Sequence, residues 1–139
     1  MELTKRAEEI AIEAHLGQTR WDKSPYINHP KRVANSFNDP DCIVVGWLHD
    51  IIEDTNMSAQ DLVNNGIPVR LVNSIKNLTK RAGENYYIFI MRILTDPIAT
   101  KVKIADIEDN LADGLKEGSL KDKYRLARHI LKKEGATIR

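Results

Sequence analysis

His49 and Asp50 interrupt an apolar run, Val45-Gly46-Trp47-Leu48, that resumes with Ile51-Ile52. Burying an imidazole and a carboxylate among apolar groups is costly unless something compensates them. A divalent cation does so, since a ring nitrogen and a carboxylate oxygen side by side can hold one ion. Glu53 falls four positions after His49 and Asp54 four after Asp50. A continuous helix would stack this acidic pair one turn along. There the two carboxylates are placed for proton transfer or for orienting a water. The dipeptide taken alone also fits a buried His–Asp hydrogen bond at an acidic helix end, and the rest of the chain decides between the two.

Two more polar residues stand where apolar ones are expected. Asp106 continues the helical stripe of Ala99, Val102 and Ala105, with Asp109 and Asn110 one turn on. His29 directly precedes Pro30, which suits the first turn of a helix and puts the imidazole at a helix mouth that can face a cavity. His29, His49, Asp50 and Asp106 form a borderline-to-hard donor set, suited to manganese, iron, magnesium or zinc rather than copper or calcium. The lone Cys42 leaves no thiolate set for a structural zinc site. Four protein ligands leave positions open on a six-coordinate ion, as phosphoester hydrolysis requires.

The elements that must position these groups are helical. Leu3, Ala7, Ile10, Ala11 and Ala14 define an amphipathic helix over residues 3–16, stopped by Gly17. His15 reads as a helix-end group capping the following loop. Residues 18–28 form a polar loop with Pro25, in which Arg20, Trp21 and Lys23 stand out, and Tyr26 there reads as packing. Asp39-Pro40 opens the helix that carries His49 and Asp50. Ser58 caps a short helix over residues 59–64, and Pro68 starts another with Leu71, Val72, Ile75 and Leu78 inward. Residues 79–85 are a basic, glycine-containing loop. Tyr86 to Leu94 is apolar on nearly every side and reads as a deeply packed helix, the alternative being a strand. Residues 98–111 are helical, residues 114–118 a loop, and residues 121–133 a last amphipathic helix. Its Lys121, Lys123, Arg125 and Arg128 read as a solvated face, the alternative being that one of these side chains reaches a phosphate. No alternating strand pattern persists, so the class is all-α, with about seven to eight helices.

Composition narrows the functional classes. A net charge of +1 gives no global attraction to nucleic acid or to a membrane surface, so phosphate affinity must be local. No apolar run approaches membrane-spanning length. The single cysteine and the acidic, amphipathic N-terminus point to a reducing cytoplasm.

Four segments carry a family resemblance: Ala14-His15-Leu16-Gly17-Gln18-Thr19-Arg20, Pro25-Tyr26-Ile27-Asn28-His29-Pro30, Leu48-His49-Asp50-Ile51-Ile52-Glu53-Asp54-Thr55, and Lys103-Ile104-Ala105-Asp106 followed by Asn110. In these the chain resembles the HD-superfamily metal-dependent phosphohydrolases, and more narrowly the small alarmone hydrolases and the hydrolase domain of Rel/SpoT enzymes. The resemblance implies a single HD domain over residues 1–139, too short to hold a synthetase domain as well. It implies a manganese ion on His29, His49, Asp50 and Asp106, with Glu53 and Asp54 as the catalytic pair that activates or orients water. It also implies that Arg20 lies against the guanine, that Asn110 contacts the nucleotide and that Lys80 serves the 3′-pyrophosphate of (p)ppGpp.

Departures bear on substrate choice rather than on the metal. The family usually has Lys where this chain has Trp21, and Arg-Leu-His-Asn where it has Ile107-Glu108-Asp109-Asn110. Trp21 offers a flat face for a base but no charge for a phosphate. The reading is a (p)ppGpp hydrolase releasing pyrophosphate, with a nucleotide as its small-molecule partner. Its rivals are an HD phosphohydrolase for another nucleotide or nucleotide cofactor, and a non-catalytic metal-loaded nucleotide-binding module.

Overall fold

The computed structural model describes residues 2–112 and 118–138. The loop expected at 114–118 falls largely outside these. Among the described residues the chain forms nine helices and no strand, only an isolated bridge between Thr19 and Pro25. They are α1 (Leu3–Ala14), α2 (Asn28–Asn35), α3 (Pro40–Leu48), α4 (Ile51–Asp54), α5 (Ala59–Asn64), α6 (Val69–Asn77), α7 (Tyr86–Ile93), α8 (Pro97–Ala112) and α9 (Gly118–Ile138). Taking α3 and α4 as one interrupted helix leaves eight. No described helix is long and apolar enough to cross a membrane.

The centre of the bundle is α3, apolar on all sides and buried at Cys42, Val44, Val45, Gly46, Trp47 and Leu48. A helix apolar all round must be enclosed, and α1, α2, α6 and α8 enclose this one. Asp39 caps its start by accepting from the Asp41 N–H. Ala7 and Ala11 let α1 approach closely. At Gly46 a β-carbon would stand 2.9 Å from the Ala34 Cα of α2, an overpacking of about 1–3 kcal/mol. That close approach brings together His29, at the start of α2, and His49, at the end of α3.

Two local expectations change. The helix expected to run through His49 and Asp50 breaks there: α3 ends at Leu48, and α4 restarts at Ile51. The Asp54 N–H still bonds the Asp50 carbonyl at 2.9 Å, so only the Asp50–Asp54 half of the stacked pair keeps its helical spacing. Second, α7 is helical but not deeply packed. Phe89, Ile90 and Ile93 face inward, while Ile88 and Met91 are more than half exposed, because no described element covers that side. The polar loop expected between α1 and α2 is tightly held. Arg20 N–H bonds the Ser24 carbonyl, Tyr26 N–H bonds that of Gln18, and the Gln18 amide donates to the Asp54 carbonyl at 2.8 Å. His15 caps α1 and bonds Gln18 at 2.8 Å, as expected.

Helix α8 is held at both ends. Asp96 accepts from the Ile98 and Ala99 N–H groups and also from Ser74 and Asn77 of α6. Glu108 meets Lys132 of α9 at 3.0 Å.

Candidate metal centre

His29, His49, Asp50 and Asp106 converge. One ligand atom from each lies within 4.8 Å of the others. His29 Nε2 is 2.8 Å from Asp106 Oδ1 and 3.6 Å from Asp50 Oδ2. His49 Nε2 is 3.0 Å from Asp50 Oδ2 and 3.3 Å from Asp106 Oδ1. All four are buried or nearly so.

The tautomers follow from the outer contacts. His49 Nδ1 donates to the Gly46 carbonyl at 2.7 Å, and His29 Nδ1 donates to Asp109 Oδ2 at 2.6 Å. Both Nε2 atoms therefore point inward at two carboxylates. His49 Nε2 is buried yet aligned with no hydrogen-bond partner, and a buried polar atom left so is costly. Lone pairs facing carboxylate oxygens need a cation between them, either protons or a metal ion. Burial opposes charge on both imidazoles, but the facing carboxylates outweigh it and raise their pKa values, His49 furthest. For Asp50, burial is outweighed by the His49 charge, which holds the carboxyl at about 2. The donor set and the orphaned nitrogen fit a divalent ion held by these four residues.

Two cavities open from the cluster. One, of about 420 Å³, is lined by Arg20, Trp21, Tyr26, Glu53, Asn110 and Tyr124. The other, of about 230 Å³, is lined by Lys80, Lys103, Lys123, Tyr86 and Tyr124. Asp50, Glu53 and Asp106 border both. A larger cavity of about 520 Å³, with Ile10, Thr55 and Met57 in its wall, touches none of the four, so volume does not choose the site.

Of the acidic pair, Glu53 borders both cavities and Asp54 the larger one. Glu53 Oε1 accepts from the Lys80 N–H at 3.1 Å. Burial first, then the charges of Asp50 and Asp54, raise the Glu53 pKa, with the Lys80 N–H pulling the other way. Asp54 is raised likewise by burial and Asp50. Arg20 Nη2 donates to Asn110 Oδ1 at 2.9 Å across 90 positions of sequence. Asn110 Nδ2 in turn lies 3.3 Å from Asp106 Oδ1. Trp21 stands half-exposed at the mouth.

Sequence reasoning missed three residues. Tyr26 reads as packing, yet its hydroxyl lies 2.5 Å from Asp50 Oδ2 and 3.1 Å from Asp54 Oδ2, bridging a ligand and the acidic pair. Lys103 is buried against Asp106 at 3.0 Å, and a lysine inside the stripe of α8 was the available signal. Asp109 was read as an added charge bearing on substrate choice. It instead holds His29, while Ile107 is in the core and Glu108 pairs with α9. Ile107, Glu108 and Asp109 line neither cavity. Among the basic residues of α9, Lys123 is the one at the site, its Nζ 4.0 Å above the Tyr86 ring.

Known proteins resemble the chain in the same sense. It is 32% identical over 138 residues to the bifunctional (p)ppGpp synthase/hydrolase SpoT of Escherichia coli K12, an alignment covering 88% of the chain and 19% of that protein. It is 30% identical over 147 residues to the guanosine-3′,5′-bis(diphosphate) 3′-pyrophosphohydrolase of Vibrio cholerae, covering 94% of the chain and 20% of the relative. The likeness is to the alarmone hydrolases. The chain thus spans about a fifth of the length of these curated relatives. A solved metazoan SpoT ortholog that hydrolyses ppGpp superposes with a TM-score of 0.76 at 20% identity, over 97% of this chain and 86% of that one. The fold is therefore the all-α helical bundle of that protein. No family profile matches the chain.

Proposed function

We propose that the chain is a metal-dependent (p)ppGpp 3′-pyrophosphohydrolase, releasing pyrophosphate and leaving GDP or GTP. The observation that carries this is the convergence of His29, His49, Asp50 and Asp106 where a base-sized cavity and a lysine-walled cavity meet. A divalent ion held there, manganese in this reading, supplies Lewis acidity that lowers the pKa of water and polarises a phosphoryl oxygen.

The remaining roles belong to side chains. Glu53, oriented by the Lys80 N–H and raised toward neutrality, takes the proton of the attacking water. Asp54, held by the Tyr26 hydroxyl, orients that water. The new bond joins the water oxygen to the proximal phosphorus of the pyrophosphate. The bond from that phosphorus to the ribose 3′-oxygen breaks, and the oxygen leaves as a hydroxyl by taking a proton from solvent, while Glu53 gives up to solvent the one it took. Lys80, Lys103 and Lys123 neutralise the pyrophosphate in the smaller cavity. Arg20 lies against the base, fixed in place by Asn110, and Trp21 closes over it. The setting that fits is the cytoplasm, in the stringent response.

A second reading, an HD phosphohydrolase for another nucleotide, rests on Trp21 alone, since the 107–109 departures face neither cavity. A panel of ppGpp, pppGpp, GTP and a dinucleotide cofactor, assayed with manganese, tests both. Equal release of GDP and pyrophosphate from ppGpp is the expected result. Turnover of the other nucleotides but not ppGpp supports the second reading. Tight binding with no turnover makes the chain a nucleotide-binding module.

A further inference from the structure

We propose that Asp109, clamped by Arg32, is a positioning residue that sets the metal affinity of His29. The inference rests on the metal-centre reading above and adds to it a residue that touches neither ion nor substrate.

The geometry is a ladder between two helices. On α2, Arg32 follows His29 by three positions, and on α8, Asp109 follows Asp106 by three. Residues three apart share a helix face. The inner rung joins His29 Nε2 to Asp106 at 2.8 Å. The outer rung is bidentate, with Arg32 Nε 2.6 Å from Asp109 Oδ1 and Nη2 3.1 Å from Oδ2. The diagonal, His29 Nδ1 to Asp109 Oδ2 at 2.6 Å, ties the rungs together. Two guanidinium bonds leave Asp109 one geometry, and that geometry fixes the plane of the imidazole.

A carboxylate accepting from Nδ1 does two things to a ligating histidine. It holds the proton on Nδ1, leaving the Nε2 lone pair for the ion, and it makes that lone pair more basic. His49 has only a backbone carbonyl in the corresponding place. The two histidines thus differ in their outer acceptor, and the carboxylate makes the His29 lone pair more basic than a carbonyl there would. Position 109 is also one of the departures from the Arg-Leu-His-Asn pattern. A histidine there carries no negative charge with which to pair Arg32, so the clamp belongs to the sequence of this chain.

The test is metal binding to the stripped full chain, read without any nucleotide. Manganese affinity is measured by competition with a chelating dye, and the site is reported by the visible spectrum of the cobalt-substituted protein. Asp109→Asn keeps an acceptor but loses the charge, and manganese should bind about 10-fold more weakly. Asp109→Leu loses both, and the loss should approach about 100-fold. Arg32→Met, at a half-exposed position, should weaken binding by a smaller factor and shift the cobalt bands in the same direction as Asp109→Asn. Saturating manganese should return most of the turnover in each. Unchanged affinity and an unchanged cobalt spectrum in both Asp109→Asn and Arg32→Met overturn the inference while leaving the centre standing. Failure of the wild-type chain to bind manganese, or His49→Ala binding it as well as wild type, overturns the centre and this inference with it.

Discussion

His29, His49 and Asp106 are 2%, 2% and 5% exposed, whereas Trp21 at the mouth of the larger cavity is 52% exposed. His29 and Asp106 sit on α2 and α8 and His49 caps the end of α3, and each is fixed by at least two contacts. The rim comes from the α1–α2 loop, from the loop before α7 and from α9. A buried centre tolerates little positional error, because each ligand is held by packing and by outer hydrogen bonds. An exposed rim can change residue without disturbing the core. Chemistry should therefore be lost by changes at the centre, and substrate preference should shift by changes at the rim.

The largest effect should come from Asp50→Ala. It removes a proposed ligand that borders both cavities, so bound metal and turnover should both disappear, measured by metal analysis and phosphate release. Because the facing imidazoles hold the Asp50 carboxyl at about 2, its charge stabilises the metal-free fold, and the metal-free variant should lose Tm as well. Metal retained at full occupancy would show that Asp50 is not a ligand.

Glu53→Gln and Asp54→Asn test the boundary between centre and rim. Both keep shape and remove a carboxylate. Manganese should stay bound while kcat falls by about 10²–10⁴-fold, the usual contribution of a general base. If kcat stays near wild type in both, the pair is only a helix end.

Much of the centre was legible in the sequence, for one reason. An imidazole or carboxylate inside an apolar stripe is conspicuous, and His49, Asp50 and Asp106 all lie in such stripes. What was not legible depends on contacts made far along the chain. Asp109 meets His29 across 80 positions and Tyr26 meets Asp50 across 24, and nothing local separates a phenol at an active site from one in a core. The break at His49-Asp50 was hidden because the apolar pattern runs straight through it. The exposed side of α7 was hidden for the opposite reason, since an all-apolar helix implies burial and only packing reveals which side is left uncovered.

At the rim, Arg20→Ala should weaken purine nucleotides by about 1–3 kcal/mol through lost stacking, and Trp21→Lys should move preference toward the more phosphorylated of two nucleotides. The readout is the ratio of kcat/KM for ppGpp and for GTP. A ratio unchanged in both variants would mean that the α1–α2 loop does not choose the substrate. Lys123→Met should raise KM for ppGpp by about 10-fold or less, as expected for one partly exposed charge–phosphate contact, with kcat nearly unchanged. A loss confined to kcat would place Lys123 in the chemistry instead.

The smallest effect is a change in stability, and it returns the comparison to the centre. His29 and His49 both have folded pKa values above the ordinary 6.5. Stability from a raised group is fully present below the unfolded pKa and is lost as pH rises through the folded one. Asp50 and Asp109 are held at about 2, so their contribution is present above the ordinary 3.8 and is lost as pH falls toward 2. The EDTA-treated protein should thus be most stable between about pH 4 and 6.5 and should lose Tm on the alkaline side, at about 3–5 °C per kcal/mol for a chain of this size. A metal ion takes the place of the inner protons and neutralises the same carboxylates. Manganese should therefore abolish the alkaline decline while leaving the acid limb in place, because below pH 4 protons compete for the ligands. Changes at Trp21 or Lys123 should leave both curves as they are. An alkaline decline that persists in saturating manganese would mean that the inward-facing nitrogens are held by protons alone, and the four-residue cluster would then be an ion-pair network rather than a metal centre.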